Sequence, residues 1–138
     1  MTATRPVAWR LTPWLASWLA LWGPVVAYMA LIFFLSSRPD IQLPGPESDK
    51  AWHSMGYAGL GALLTRAAAG GLGQPVSLGH AALAVAVATA YGATDEWHQS
   101  FVPGRVADLL DLRADAIGAV VGTFACWAWG IIRFRSDV

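Results

Sequence analysis

The feature that most constrains the fold is an apolar run from Trp14 to Leu35, in which none of the 22 residues carries a charge. A helix of that length rises about 33 Å, enough to cross the hydrocarbon core of a bilayer. Arg5 and Arg10 precede the run like the basic start of a signal peptide. The run is too long for one, however, and Ser36-Ser37-Arg38 is a poor cleavage site. We therefore predict an uncleaved first transmembrane helix.

Composition favours a membrane protein for the whole chain. It is 56% hydrophobic and 13% charged, whereas soluble domains carry about 25% charged residues. The formal net charge of zero argues against a nucleic-acid partner. The single cysteine, Cys126, excludes an internal disulfide. At 138 residues, the chain is expected to form a single domain, residues 1–138.

Three shorter apolar segments follow the first one along the chain. We predict an all-α integral membrane bundle of four transmembrane helices, at about residues 14–35, 51–69, 77–94 and 114–132. Basic residues of short loops favour the cytoplasmic side, and Arg5, Arg10, Arg66, Arg133 and Arg135 would share one side of this bundle. Both termini are therefore expected in the cytoplasm. Eight of the nine carboxylates would then lie at the outer face.

The stretch from Thr94 to Gly122 contains most of the acidic residues of this hydrophobic chain. Charge beside hydrocarbon is costly and usually serves a function. If the third helix continues past Thr94, Asp95, His98 and Gln99 share one face, and Pro103-Gly104 then turns the chain and leaves Arg105 at a corner. The five carboxylates of the stretch are Asp95, Glu96, Asp108, Asp111 and Asp115, the last three spaced to form a stripe leading into the fourth helix.

A second polar block opens the second helix. Asp49, His53 and Tyr57 follow at i, i+4 and i+8, and Lys50 stands three residues before His53. These side chains share a helical face. An interfacial helix start explains Asp49 well, but it explains His53 poorly, because His53 lies about one turn inside the apolar segment. His53 is therefore a candidate functional residue.

Small residues predict which helices pack closely. Gly118 and Gly122 form a G-x-x-x-G pair on the fourth helix, and Gly56, Gly59 and Gly61 lie on the second. Such spacings let membrane helices approach each other. Close packing of these two helices would bring His53 towards Asp115.

Taken together, three blocks of residues resemble the VanZ-like membrane protein family. The resemblance covers about residues 49–122 and implies a multi-pass protein of the bacterial plasma (inner) membrane, linked to the cell envelope. The family's founding member is associated with teicoplanin resistance, and the family often has asparagine where this chain has Asp115. The blocks are Asp49-Lys50-x-x-His53-x-x-x-Tyr57, Asp95-Glu96-x-x-Gln99-x-Phe101-x-Pro103-Gly104-Arg105 and Asp111-x-x-x-Asp115-x-x-Gly118-x-x-x-Gly122.

The favoured hypothesis is a binding site at the outer face. Its ligand would be an envelope lipid, a lipid-linked cell-wall precursor or a (lipo)glycopeptide-type amphiphile, and binding would modulate antibiotic susceptibility. Lys50 and Arg105 would contact phosphate or carboxylate. Asp95 and Glu96 would orient Arg105 or meet a cationic part of the ligand, and apolar walls would come from Trp52, Trp97 and Phe101. Neither a metal nor a cofactor is assigned, and a homo-oligomer stays open. The expected ligand-binding residues are Lys50, His53, Tyr57, Asp95, Glu96, Gln99, Arg105, Asp111 and Asp115.

Two alternatives stay open. A membrane enzyme would use acid–base chemistry on a lipid-linked substrate, with catalytic candidates His53, Asp95, Glu96 and Asp115. In such an enzyme Asp95 and Glu96, with His53 or His98, could also hold a divalent metal. A small transporter is less favoured, because the charges gather at one end and the middle of the apolar segments has none.

Overall fold

A computed structural model describes residues 12–39 and 49–135 of the protein, with residues 131–135 as helix backbone alone. These residues form four α-helices and no strand, which confirms the all-α prediction. They are α1 (Pro13–Ser36), α2 (Asp49–Ala68), α3 (Leu78–Gln99) and α4 (Leu109–Arg135). Arg5 and Arg10, on which the predicted orientation partly depends, lie outside the described residues, as do the side chains of Arg133 and Arg135.

The third and fourth helices extend further towards each other than the apolar segments do. α3 continues to Gln99, and α4 begins at Leu109 rather than near residue 114. Asp108 stabilises this earlier start, because its Oδ1 accepts the N–H of Leu110 at 2.8 Å. Gly104, at φ 84°, makes the intervening turn in a conformation that favours glycine. Most of the charged stretch is therefore helical, and its side chains have fixed directions.

Helix α2 lies at the centre and contacts the other three helices. Its contact with α4 is close, as the glycine spacing predicts. A methyl group on Gly118 would overlap the carbonyl of Ser54, and one on Gly122 would overlap the carbonyl of Ala58. Only residues without a side chain permit this approach of the two backbones. The register that they set determines what the first turns of α2 and α4 bring together.

The distribution of polarity is suited to an apolar surrounding. Asp115 is fully buried, while large apolar side chains such as Phe34, Leu83 and Phe124 point outwards and are 52%, 52% and 60% exposed. Monomeric soluble proteins rarely expose so large an apolar surface to water. Among the described helices, α1 is the one long and apolar enough by itself to cross a membrane.

Candidate functional site

Polar side chains from all four helices meet at one end of the bundle, which we call the polar end. It comprises the last turn of α1, the first two turns of α2, the last two turns of α3 and the first two turns of α4. Short loops and helix ends bring these segments together although they are far apart in sequence. The side chains there form three connected groups.

The first group joins α1 to α3 through Asp95. This buried carboxylate accepts the hydroxyl of Ser36 at 2.6 Å through Oδ1 and the amide of Gln99 at 3.0 Å through Oδ2. Next to it, the hydroxyl of Ser37 lies 2.9 Å from Nε2 of His98. The predicted shared face of Asp95, His98 and Gln99 therefore exists, and its partner is the end of α1. The sequence did not indicate Ser36, whose only signal was a serine pair directly after the apolar run.

Removal of the Ser36 hydroxyl is a test of this contact. We expect Ser36→Ala to lower the free energy of unfolding by about 1–3 kcal/mol, because it leaves Oδ1 of a buried carboxylate without its donor. Ser17→Ala is the matched control, since Ser17 is exposed on the same helix and, within the described part of the chain, bonds only to the carbonyl of Pro13. Denaturant titration of both variants in detergent checks the difference. Equal stability of the two variants would contradict the role given to Ser36.

The second group surrounds Lys50 at the start of α2. Its ammonium lies 3.0 Å from Oδ2 of Asp108 and 3.0 Å from Oδ1 of Asp111. Two hydrogen bonds lower the pKa of the Asp108 carboxyl below its ordinary value. The larger effect comes from the N–H of Leu110 and the smaller one from the ammonium of Lys50. Lys50 thus balances part of the negative charge at the beginning of α4. Its ammonium, which was predicted to bind the ligand, is already paired with two carboxylates.

The third group is the most deeply placed. Nδ1 of His53 lies 3.0 Å from Oδ1 of Asp115, so the predicted approach of these residues is present. Glu96 of α3 is adjacent, and one ligand-type atom from each of His53, Glu96 and Asp115 lies within 4.8 Å of the others. Glu96 also accepts the N–H of Asp108 at 2.8 Å. Helices α2, α3 and α4 each contribute one residue to this group.

A cleft of about 390 Å³ opens beside these groups. Its wall on one side comes from α1, at Tyr28, Ile32 and Leu35, which follow one another along a single helical face. The rest of the cleft is formed by the end of α1, the first turns of α2, the last turns of α3 and the turn before α4. The remaining residues that line it are Ser36, Asp49, Trp52, His53, Met55, Gly56, Tyr57, Asp95, Gln99 and Arg105.

Arg105 lines the cleft, and its charge has no partner among the described residues. Its side chain is half-buried. Among the described residues no carboxylate oxygen lies within 4.0 Å of its guanidinium, and its enclosed Nε has no hydrogen-bond partner. Of the two roles predicted for Asp95 and Glu96, an ion pair with Arg105 is therefore not present. Asp95 accepts hydrogen bonds from Ser36 and Gln99 instead, and Oε2 of Glu96 accepts the N–H of Asp108. The guanidinium lines the cleft without an anion among these residues.

The predicted binding residues divide between the cleft and the groups behind it. His53, Tyr57, Asp95, Gln99 and Arg105 line the cleft. Lys50, Glu96, Asp111 and Asp115 do not, and they form the ion pairs and hydrogen bonds described above.

The aromatic walls also differ from expectation. Trp97 and Phe101 are each 69% exposed and contact each other edge to face, at 5.5 Å between ring centroids. They do not line the cleft, because they lie on the outer side of α3 and the turn that follows it. Trp52 lines the cleft, as predicted. The apolar wall predicted for Trp97 and Phe101 comes from α1 instead.

The residues of the polar end fall within the part of the chain that matches a known family. A comparison with curated proteins gives no match, and a comparison with solved structures gives none either. The family model described as VanZ/LLP1 matches residues 20–133, which include the three groups of side chains and the cleft described above. With most of its length matched, this chain belongs to the VanZ-like family.

Proposed function

We propose that this chain is a multi-pass protein of the bacterial plasma membrane that binds the anionic headgroup of an amphiphilic envelope component in its cleft. Membership of the VanZ-like family and the apolar helix α1 support the membrane location. The outward-facing apolar side chains of α3 and α4 support a bundle in which all four helices lie in the bilayer. We also propose that both termini are cytoplasmic, which puts the polar end at the outer face.

The observation that carries the binding proposal is the guanidinium of Arg105. The guanidinium of this half-buried arginine has no anion near it among the described residues, and its enclosed Nε has no hydrogen-bond acceptor there, so it is open to an anionic ligand. A phosphate or carboxylate supplies one, since guanidinium binds such groups through two parallel hydrogen bonds. Lys50, at the start of α2, already pairs with Asp108 and Asp111.

The shape of the cleft indicates why the ligand would be an amphiphile. Arg105, Asp95 and Gln99 make one end polar, and Tyr28, Ile32 and Leu35 make an apolar strip about two turns long on α1. A headgroup can contact the first end while an acyl or prenyl chain lies along the strip. A free inorganic anion would use only the polar end. The structure therefore favours a lipid or a lipid-linked cell-wall precursor over a soluble ion.

Replacement of Arg105 tests this proposal. Purified protein is titrated with short-chain phosphatidylglycerol and, separately, with the corresponding phosphatidylcholine. We expect the wild type to prefer the anionic lipid, and Arg105→Ala to weaken its binding by about tenfold or more, the loss of one charge-assisted hydrogen-bonded contact.

Arg113→Ala is the matched control for that titration. It removes the same charge from an exposed position on α4, near the polar end but outside the cleft, and we expect it to bind like the wild type. An equal loss in both variants would show a general charge effect. Equal affinity of the wild type for the two lipids would refute anionic headgroup recognition.

A role in antibiotic susceptibility follows as a cellular test. Family membership supports a role related to antibiotic resistance. Expression in a susceptible Gram-positive strain is expected to raise the teicoplanin concentration needed to stop growth, and Arg105→Ala is expected to abolish the rise at equal protein level. A rise that Arg105→Ala leaves intact would separate any such role from the cleft.

One observation supports catalysis as a second candidate. His53 lines the cleft while Asp115 holds its Nδ1 from behind, and a carboxylate in that place orients a histidine for proton transfer. Incubation with a radiolabelled lipid-linked precursor tests for turnover. Product formation that His53→Gln abolishes while headgroup binding persists would establish an enzyme, and no product with any such substrate would favour binding alone.

A further inference from the structure

Ligand binding in the cleft does not account for the two carboxylates beside His53, those of Glu96 and Asp115. Glu96 is 7% exposed and Asp115 is 0% exposed. In each carboxylate one oxygen is enclosed and has no hydrogen-bond partner among the described residues, Oε1 in Glu96 and Oδ2 in Asp115. Two buried carboxylates with unpartnered oxygens carry more negative charge than one imidazole can balance, even when it is protonated.

Neither Lys50 nor Arg105 supplies the positive charge that would balance Glu96 and Asp115. Lys50 is engaged by Asp108 and Asp111, and the guanidinium of Arg105 lies beyond ion-pair distance of every described carboxylate. A divalent cation coordinated by two carboxylates and a neutral imidazole gives a group with zero net charge. That charge balance suits a buried position.

From this geometry we infer that His53, Glu96 and Asp115 form a binding site for a divalent transition-metal cation. One nitrogen and two carboxylate oxygens are a ligand set that Zn²⁺ and Mn²⁺ both accept. The three residues come from α2, α3 and α4, so a bound ion would also link these helices. The site does not depend on any ligand in the cleft, although His53 belongs to both.

The spacing is suited to an ion of this kind. Two ligand atoms bound at about 2.1 Å in tetrahedral geometry lie about 3.4 Å apart. The ligand-type atoms of the three residues lie within 4.8 Å of one another, so the side chains would move inwards when an ion binds. Nδ1 of His53 and Oδ1 of Asp115, 3.0 Å apart, already have the separation of neighbouring ligands.

A second group of three also contains His53, with Asp49 and Asp111. It is a weaker candidate for two reasons. The side chain of Asp49 is 56% exposed, and the Oδ1 of Asp111 is 3.0 Å from the ammonium of Lys50. A cation there would compete with water and with an existing ion pair.

The experiment measures metal binding by the purified, detergent-solubilised full chain after treatment with a chelator. Zn²⁺ is titrated by calorimetry, and Mn²⁺ is followed by electron paramagnetic resonance. We expect one ion per chain for the wild type. Glu96→Gln and Asp115→Asn keep the size of each side chain and remove its charge, and each is expected to weaken binding by more than about tenfold. Asp49→Asn is the control and should bind like the wild type.

Gly92→Ala offers a variant that changes no ligand. A methyl group on Gly92 would lie 2.8 Å from Oδ2 of Asp115 and displace that carboxylate. We expect it to weaken Zn²⁺ binding while circular dichroism shows an unchanged helical content. No stoichiometric ion in the wild type would overturn the inference. Binding that survives Glu96→Gln, or that Asp49→Asn abolishes, would overturn the assignment to these three residues.

Discussion

Gly122→Ala is expected to lower the free energy of unfolding by about 3 kcal/mol, the upper part of the usual range for overpacking. The added methyl group would overlap the carbonyl of Ala58 on α2. A flexible side chain could move aside, but a helical carbonyl cannot move without shifting its helix. The whole contact between α2 and α4 must therefore open, and the approach of His53 to Asp115 depends on that contact.

Gly56→Ala is the matched control for this prediction. Gly56 is a glycine within α2, but a methyl group there would meet no atom within 4 Å. Alanine in a helix is favoured over glycine by up to about 1 kcal/mol, so Gly56→Ala should be neutral or stabilising. Unfolding of both variants in mixed micelles measures the difference. A Gly122→Ala protein as stable as the wild type would show that the two helices are not packed so closely.

His53→Leu is expected to cost about 3–5 kcal/mol of unfolding free energy. The substitution removes the partner of a carboxylate that is 0% exposed, and an unpaired buried charge is strongly destabilising. The cost would arise whether the imidazole pairs with Asp115 directly or through a shared cation. The same denaturation assay measures it.

A second substitution distinguishes this cause from lost packing. Asp115→Asn in the His53→Leu background removes the stranded charge while keeping the size of the side chain. We expect the double variant to regain at least half of the lost stability, a coupling that a double-mutant cycle measures. A double variant as unstable as His53→Leu would mean that leucine simply fits badly at position 53.

The fold could be predicted well because membrane-like helices carry their signal in length and apolarity. The run Trp14–Leu35 lies within one residue of each end of α1. The other boundaries were less accurate where a helix leaves the apolar segment. Charged residues lie within 95–99 at the end of α3 and within 109–113 at the start of α4, and hydropathy alone does not extend a helix through a turn that carries charges.

The site was only partly predictable, for a different physical reason. Helical spacing and glycine placement indicated that His53 approaches Asp115, because both act through the regular geometry of two helices. The hydrogen bond between Ser36 and Asp95 depends on the position of α1, which no local pattern encodes. For this reason the sequence did not indicate Ser36, and one of the two roles predicted for Asp95 and Glu96 was an ion pair with Arg105 that the structure does not contain.

The central claim is that the cleft beside Arg105 holds an anionic amphiphile. Native mass spectrometry of the protein released from bacterial membranes in a mild detergent tests it most directly. The wild type and Arg113→Ala are expected to carry one anionic lipid per chain, and Arg105→Ala is expected to lose it. A wild-type protein without any retained lipid, or an Arg105→Ala protein that retains the same lipid equally, would contradict the claim.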